Sequence, residues 1–298
     1  TTAPEITITS STSTVNSASQ TVVGTGTPGA TVVVTSSTAG ALGTATVGAN
    51  GEWSKSVTVV SGETVTAVAT DAATNTATSA GIVYTIDSTA PVITAVSVDG
   101  GSVLNSTEVA SNASIIVTTT GVEDGQQVKV TLNSVEYSAT VAGNKATVEI
   151  PSSVLSALTN GQSYNVTAAV SDAAGNAATS TASTSFTIDT AATSTTTPIV
   201  AAITNDNTPS VDIGQALASG ETATLFVDGV AVASTYAANG GDSTLTPDVA
   251  LPDGQYQITY TITDANGNVS AQTAADTVLV DTTAPEITIT SSTSTVNS

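Results

Sequence analysis

The sequence predicts an all-β protein built from antiparallel β-sandwich domains, and three observations carry this prediction. Val and Thr, which suit pleated and half-buried strands, are abundant, and 23 Gly are available for turns. Several short segments alternate apolar and polar residues with a period of two, as strands with one buried face do. Clusters of Gly, Asn, Asp and Pro separate these segments, as turns between strands require.

Three segments show the alternation most clearly. In QYQITYTITD (255–264) the apolar positions all fall on one face, and SYNVTAAVSD (163–172) and ETVTAVATD (63–71) repeat the pattern. A second apolar segment follows each of them and completes a predicted hairpin. Further strands are expected in ATVVVTS (30–36), VKVTLN (128–133) and TLFVDG (224–229).

Composition narrows the possible functions. Lys55, Lys129 and Lys145 are the only basic residues against 24 acidic ones, so the formal net charge is −21. Such a chain repels nucleic acids and anionic membranes, because both are held through Lys and Arg contacts to phosphate. The chain has no Cys and no His, which excludes a disulfide framework, Cys-ligated zinc and the commonest general base. The acidity favours a cation as ligand, and no apolar run is long enough for membrane insertion.

Repetition is the strongest sign of organisation. TTAPEITITSSTSTVNS (1–17) returns unchanged at 282–298, so the parent sequence is expected to repeat with a period of 281 residues. The chain begins Thr-Thr-Ala-Pro, with neither Met nor a signal segment, and we expect it to be an internal piece of a longer protein. Neighbouring copies of the same repeat are therefore expected partners.

Three Asp–Asn units subdivide this period: DAATN (71–75), DAAGN (172–176) and DANGN (264–268). Each unit follows an alternating strand, and a further Asp closes the next apolar segment. We therefore expect domains of ordinary size at 1–87, 88–189 and 190–281, with 282–298 beginning a further copy of the first domain.

Several segments carry a family resemblance. LPDGQYQI (251–258) resembles the entry to the penultimate strand of immunoglobulin-like sandwiches, where a Tyr forms the corner. GTGTPGATVVV (24–34), ANGEWSKSVTV (49–59), ITNDNTPSVDIG (203–214) and the Asp–Asn units resemble the bacterial Ig-like repeats of giant calcium-dependent surface adhesins of the RTX, type I-secreted class. The resemblance implies tandem immunoglobulin-like domains in an extended array, secreted unfolded and folded outside the cell. Trp53 is expected in a core, with ligand stacking as the alternative.

The Asp–Asn units admit three interpretations: capped turns, calcium ligands or a catalytic carboxylate pair. Asp and Asn side chains bond their own backbone in turns. Calcium takes about six to eight oxygen ligands from carboxylates, amides and carbonyls, and this chain offers little else to a cation. Calcium is therefore the expected cofactor, and the candidate ligands are Asp71, Asp87, Asp172, Asp189, Asp264 and Asp281.

The predicted topology indicates which aspartates meet. Asp264 begins the last hairpin and Asp281 ends its second strand, so about 13 strand residues at ~3.3 Å each separate them by ~40 Å. They cannot share an ion. The last hairpin turn lies at the end where the chain enters its domain, so Asp172 is expected beside Asp87 and Asp264 beside Asp189. Asp281 would meet the Asp–Asn unit of the next copy, and the resemblance likewise implies calcium at such junctions.

The loop after the second strand of each domain is expected at the same end. It carries Glu123 and Asp124 in the second domain, Glu221 in the third and only TPGA (27–30) in the first. Glu123 and Glu221 are therefore further candidate metal ligands. The alternative is that they are ordinary solvated loop acids.

The function that these observations favour is a structural spacer. Ig-like modules stiffened by junction calcium would hold a distal tip away from a bacterial surface, or build an extracellular fibre, in contact with a cell surface or biofilm matrix. The alternative is a glycan- or protein-binding module, which predicts an exposed aromatic cluster. An enzyme is not expected, since no catalytic constellation is recognisable.

Overall fold

The computed structural model of the chain describes residues 2–178, 182–239 and 242–290. Strands account for nearly all of the regular structure, so the all-β prediction is confirmed. Two four-residue helices occur that the sequence did not predict. No helix in the described part of the chain is long and apolar enough to cross a membrane.

The elements follow one another along the chain in three stretches. The first contains β1 (Ile6–Ile8), β2 (Ser13–Val15), β3 (Ser19–Gly26), β4 (Thr31–Ser36), β5 (Gly40–Thr46), β6 (Glu52–Thr58), β7 (Thr64–Thr70), β8 (Thr76–Thr78) and β9 (Ile82–Ile86). The second contains β10 (Val92–Val98), β11 (Val103–Leu104), α1 (Ser106–Val109), β12 (Ala113–Thr120), β13 (Gln127–Leu132), β14 (Val135–Thr140), β15 (Lys145–Ile150), α2 (Ser152–Leu155), β16 (Ser163–Ala169) and β17 (Ser183–Ile188). The third contains β18 (Ile203–Thr204), β19 (Val211–Asp212), β20 (Thr222–Val227), β21 (Val230–Val232), β22 (Ser234–Asn239), β23 (Asp242–Pro247), β24 (Gly254–Thr263) and β25 (Asp276–Val280).

The chain divides into two compact units, each assembled from several segments. One comprises residues 1–101, 112–151 and 164–186, and the other comprises residues 102–111, 152–163 and 187–298. The expected division into three domains stays a prediction. Of the expected further copy at 282–298, residues 291–298 lie outside the described residues.

The first unit contains a sandwich formed by the first stretch of strands. One sheet has the order β1-β3-β6, and the other has the order β2-β9-β7-β4-β5 with β8 on β7. Their apolar faces meet in one buried cluster that includes Val22, Val32, Val65 and Trp53. The core placement of Trp53 is confirmed, and its indole nitrogen donates to the carbonyl of Thr25 at 3.3 Å.

The first unit also holds most of the second stretch. β12 lies between β10 and β15 in an antiparallel sheet, and β13 lies between β14 and β16 in another. Ile115, Val117 and Val130 on these strands are fully buried, as the alternation predicts.

The second unit contains a sandwich formed by the third stretch. One sheet has the order β18-β25-β24-β20-β21 and the other has the order β19-β23-β22. Ile258, Tyr260 and Ile262 of β24 are fully buried, as their alternation predicts. The Tyr256 hydroxyl donates to the carbonyl of Pro252 at 2.9 Å, so the predicted tyrosine corner is present.

Three short parallel pairs interrupt the antiparallel pattern, and the sequence did not predict them. β2 runs parallel to β9, β11 to β17 and β18 to β25. In each pair the last residue of the short strand lies opposite the residue that precedes a closing aspartate: Val15 opposite Ile86, Leu104 opposite Ile188 and Thr204 opposite Val280. Each parallel pair therefore places the residue that follows the short strand at the same end of the sheet as the closing aspartate.

Candidate functional site

The Asp–Asn units form turns that their own side chains hold closed. In the third Asp–Asn unit (264–268), Asp264 Oδ1 accepts hydrogen bonds from the backbone N–H groups of Asn266 (2.9 Å) and Asn268 (2.8 Å). Asp264 Oδ2 accepts one from Asn268 Nδ2 at 2.9 Å. The side chains of the first two Asp–Asn units, 71–75 and 172–176, bond in the same way. The capped-turn interpretation is therefore correct as a description of the local structure.

These turns also change the acidity of their aspartates. Burial would raise the pKa of Asp172 and Asp264, but the side-chain and backbone N–H groups that face each carboxylate outweigh it and lower the pKa. At Asp71 the Asn75 side chain is the largest cause of a lowered pKa. All three carboxylates are therefore ionised at neutral pH.

The second turn lies against the closing aspartate of the first stretch. Asn176 Nδ2 donates both to Asp172 Oδ2 at 2.8 Å and to the Asp87 carbonyl at 2.9 Å. Asn16 Nδ2 donates to the Gly175 carbonyl of the same turn at 3.1 Å. Asp172, which is 3% exposed, thus lies beside Asp87, as the topology predicted.

The third turn repeats this arrangement in the second unit. Asn268 Nδ2 donates to the Asp189 carbonyl at 3.0 Å, and Asn268 Oδ1 accepts from the Ser106 N–H at 2.8 Å. Asn266 Nδ2 donates to Asp189 Oδ2 at 2.6 Å, and Asn105 Nδ2 donates to the Asn266 carbonyl at 2.9 Å. Asn268 is 1% exposed, so this contact is more deeply buried than its counterpart at Asn176.

Sequence reasoning missed Asn16 and Asn105, whose side-chain amides donate hydrogen bonds to the second and third turns. Both follow directly on a short parallel strand, in TVN (14–16) and VLN (103–105). The third stretch has ITN (203–205) at the corresponding place, after β18. An Asn that directly follows two β-prone residues (Val, Ile, Leu or Thr), about 70–85 residues before each closing aspartate, is the signal that could have identified them.

The two predicted loop glutamates contact these regions. Glu123 Oε2 accepts the N–H of Ala173 in the second turn at 2.8 Å. Glu221 accepts from the Thr193 hydroxyl and from the Ala218 N–H, and a Cβ built on Gly220 in its loop would lie 2.9 Å from the Cβ of Ala265 in the third turn. Both loops therefore lie at the predicted end, and metal binding by the two glutamates stays a prediction.

The two outermost predicted ligands lie apart from these contacts. Asp71 shares a surface depression with the loop Thr27–Ala30, as expected for the first stretch. Asp281 follows Val280, which pairs with Gly254 at the start of β24, whereas Asp264 follows the end of that strand. Asp264 and Asp281 thus lie at opposite ends of a 10-residue strand, or about 33 Å apart.

Calcium fits some of the predicted ligands better than others. A carboxylate has about four lone-pair sites, and N–H groups occupy three of those of Asp264. Asp87 accepts only from the Thr89 N–H among the described side-chain bonds, and Glu123 only from Ala173. Among the described residues no three carboxylates come close enough together to hold a metal ion. Asp87 and Glu123 therefore keep more lone-pair capacity for an ion than the turn aspartates do, and calcium binding at the predicted ligands stays a prediction.

Comparison with protein families gives two matches. A family model described as bacterial Ig-like domain matches residues 90–190 and 191–282. A second family model, described as bacterial Ig domain, matches residues 3–86. No curated protein matches the chain.

Several solved structures are similar to this chain. A Ca²⁺-stabilized adhesin that helps an Antarctic bacterium bind ice is 28% identical, with a TM-score of 0.48, covering 94% of this chain and 74% of that one. A 1.5-MDa bacterial ice-binding adhesin is 22% identical, with a TM-score of 0.42, covering 93% of this chain and 98% of that one. A bacterial immunoglobulin-like domain from the M. primoryensis ice-binding adhesin is 30% identical, with a TM-score of 0.27, covering 33% of this chain and 99% of that one.

Proposed function

This chain belongs to the bacterial Ig-like domain family, and from that premise we propose that it is the spacer region of an extracellular bacterial adhesin or surface fibre. In this proposal, sandwich domains at 1–87, 88–189 and 190–281 hold a distal binding element away from the cell surface, towards another surface or a biofilm matrix. A spacer needs length and tolerates copying, which suits the unchanged return of residues 1–17 at 282–298.

The observation that supports this proposal most is the repeated contact between an Asp–Asn turn and the preceding closing aspartate. Asn176 bonds the carbonyl of Asp87, and Asn268 bonds the carbonyl of Asp189. Each contact joins residues about 80–90 positions apart and is supported by a second Asn from the preceding stretch. A stiff spacer needs contacts of this kind at every junction, because domains that are joined only by a linker move relative to one another.

We further propose that calcium stabilises these junctions. The carboxylate oxygens would come from two pairs, Asp87 with Glu123 and Asp189 with Glu221. The turns would be shaped by Asp71, Asp172 and Asp264. Asp281 would act at the junction with the next copy. A cation would offset part of the repulsion in a chain of net charge −21. Extracellular calcium modules bind at about 10⁻⁴–10⁻³ M, so such sites would fill outside the cell.

The same proposal assigns the chain no catalytic role. It lacks His, Cys and Arg. Of its nine aromatic side chains, Trp53, Tyr84, Phe186 and Tyr260 are buried in the cores and only Tyr236 is classed as exposed, at 36%, so the described residues form no exposed aromatic cluster. We infer that adhesion to a surface belongs to other parts of the parent protein.

Melting of the full chain with millimolar calcium or with a chelator tests the calcium proposal. We expect calcium to raise the melting temperature by roughly 5 °C. Asp87→Asn should reduce this rise, whereas Asp99→Asn, an exposed aspartate outside the predicted ligands, should retain it. An unchanged midpoint at millimolar calcium would show that the junctions do not use the ion.

Small-angle scattering of the same full-length variants tests the spacer itself. The proposal predicts that the wild-type chain keeps a narrow distribution of maximum dimensions when calcium is present. Asp172→Asn, which weakens the turn that contacts Asp87, should broaden that distribution, and Asp71→Asn should leave the same junction unaffected. Equal scattering curves for Asp172→Asn and the wild type would contradict the cross-junction model.

A further inference from the structure

We propose that the end of the third stretch carries half of a third junction, and that its other half is the first Asp–Asn turn of the following copy of the repeat. In this junction Asn205 and Asp281 of one copy bind residues 71–75 of the next. The proposal rests on the tandem spacer proposed above and deepens it, because it assigns the direct hydrogen bonds at the next junction, which form with or without calcium.

The first half of the junction is present in the same geometry as in the two observed junctions. The N–H of each closing aspartate, Asp87, Asp189 or Asp281, donates at 2.9 Å to the carbonyl of the last residue of a short parallel strand. The next residue in the chain is Asn16, Asn105 or Asn205. Asn16 and Asn105 each donate to a turn carbonyl. Asn205 is exposed and has no side-chain partner among the described residues.

The second half of the junction is the turn at residues 71–75. Asn75 Nδ2 donates to Asp71 Oδ2 at 2.8 Å, which uses one of the two hydrogens of its amide group. The corresponding amides of Asn176 and Asn268 use both, one on their own aspartate and one on the preceding closing aspartate. Asn75 therefore has a donor available for the carbonyl of an Asp281 that precedes it.

The repeat in the sequence identifies the occupant. Residues 282–298 are identical to residues 1–17, so the chain that leaves Asp281 starts a stretch of the first kind. The turn that reaches the end at Asp281 would then be the counterpart of residues 71–75, because the turns at 172–176 and 264–268 reach Asp87 and Asp189 in the same way. A second copy of this chain is thus the partner that fits.

One residue distinguishes this junction from the other two. Gly175 and Gly267 occupy the fourth position of their turns, and a Cβ built on them would lie 3.5 Å from Asn16 Nδ2 and 3.1 Å from Asn105 Nδ2. Thr74 occupies this position in the first turn, with φ of +67°. Its side chain would therefore face Asn205 of the preceding copy. The Thr74 hydroxyl already donates to the Ala73 carbonyl at 2.6 Å and keeps lone pairs that can accept from an Asn amide.

Disulfide trapping tests the proposal cleanly, because the chain has no cysteine of its own. The test protein is the full chain extended to two complete copies, with Asn205→Cys in the first copy and Thr74→Cys in the second. Oxidation is performed in chelator, and linked peptides are measured by mass spectrometry. Asn105→Cys with Gly267→Cys within one copy is the positive control, because that junction is observed.

We expect the Asn205–Thr74 pair to close at a rate within about tenfold of the control pair. Asn205→Cys paired with Thr38→Cys, on an exposed turn beyond the other end of β4, should close at least about a hundredfold more slowly. Ala73→Cys replaces Thr74→Cys if the latter unfolds the first sandwich. If the Asn205–Thr74 pair forms its disulfide no faster than the Asn205–Thr38 pair while the control pair closes normally, the proposal of a third junction is wrong. That failure leaves the calcium-dependent melting test unaffected, so the two proposals fail separately.

Discussion

The first and third Asp–Asn turns have the same internal hydrogen bonds and different surroundings. Asn75 and Asn268 both close their turns by donating to the aspartate four residues earlier. Asn268 also bonds the Ser106 N–H and the Asp189 carbonyl and is 1% exposed, whereas Asn75 remains partly exposed. Five residues therefore suffice to form the turn, and a neighbouring segment converts it into a buried junction.

The same pair of turns differs in backbone strain. Gly267 has φ of +88°, which costs glycine little, and Thr74 has φ of +67°, which is strained for a β-branched residue. The first turn therefore contains an unfavourable conformation that glycine would relieve. In the junction that we propose, the Thr74 side chain faces Asn205 of the preceding copy.

The largest effect is expected for removal of the buried amide in the third turn. Asn268→Ala leaves the Ser106 N–H and the Asp189 carbonyl without their partner, and it should lower the free energy of unfolding by about 3 kcal/mol. Asn75→Ala loses mainly a bond within its own turn and should cost about 1 kcal/mol. Hydrogen exchange of β24 monitors the first variant, and Trp53 fluorescence in a urea titration monitors the second. Equal losses would mean that the junction bonds add nothing to the turn.

A smaller loss is expected for Gly267→Ala. A Cβ at this position would lie 3.1 Å from Asn105 Nδ2, and the backbone has a positive φ. The substitution should cost about 2 kcal/mol and should be measured by hydrogen exchange of β24. Gly229→Ala is the matched control: its φ is +79° and a Cβ there would meet nothing within 4 Å, so it should lose only the part that backbone strain causes.

The first turn should respond in the opposite direction. Thr74→Gly relieves the strained φ, offset in part by the greater freedom of glycine in the unfolded chain, and should stabilise the first sandwich by about 0.5–1 kcal/mol. Trp53 fluorescence during urea unfolding of the full chain measures this change. Destabilisation would show that the Thr74 hydroxyl bond to Ala73 outweighs the strain.

The smallest effect at neutral pH concerns acid stability. Because the pKa of Asp264 is lower in the folded chain than its ordinary value, the ionised carboxylate stabilises the fold above about pH 4, and this contribution is lost as the pH falls through the folded pKa. Asp264→Asn should therefore be less stable than the wild type near pH 7, and the difference should shrink as the pH falls below about 4. Chemical denaturation at several pH values measures the difference. A difference that is independent of pH would show that the hydrogen bonds do not act through the carboxylate charge.

Local patterns predicted much of the fold. The alternation in 255–264 placed Ile258, Tyr260 and Ile262 in a core, because a strand has a period of two residues and only one of its faces is buried. The tyrosine corner at Tyr256 could also be predicted, since its partner lies four residues away. The helices at Ser106–Val109 and Ser152–Leu155 could not, because four residues carry too little pattern.

The candidate site could be predicted only in part. Alternating strands and a chain that enters at one end were enough to place Asp172 beside Asp87 and Asp264 beside Asp189. The roles of Asn16 and Asn105 could not be deduced, because their partners lie 159 and 161 residues away and depend on the parallel pairs that carry them there. The hydrogen bonds that N–H groups donate to the turn aspartates likewise depend on the folded turn.

The sequence by itself determined the strand pattern, the turns and the repeated order of these elements, because each follows from neighbouring residues. Tertiary structure alone decided which short segments become strands. β1 exists because it pairs with β3, and Ile6 and Ile8 then pack against the first core. A three-residue strand has no stability without a neighbouring strand and a core beneath it, so its structure depends on residues distant in the chain.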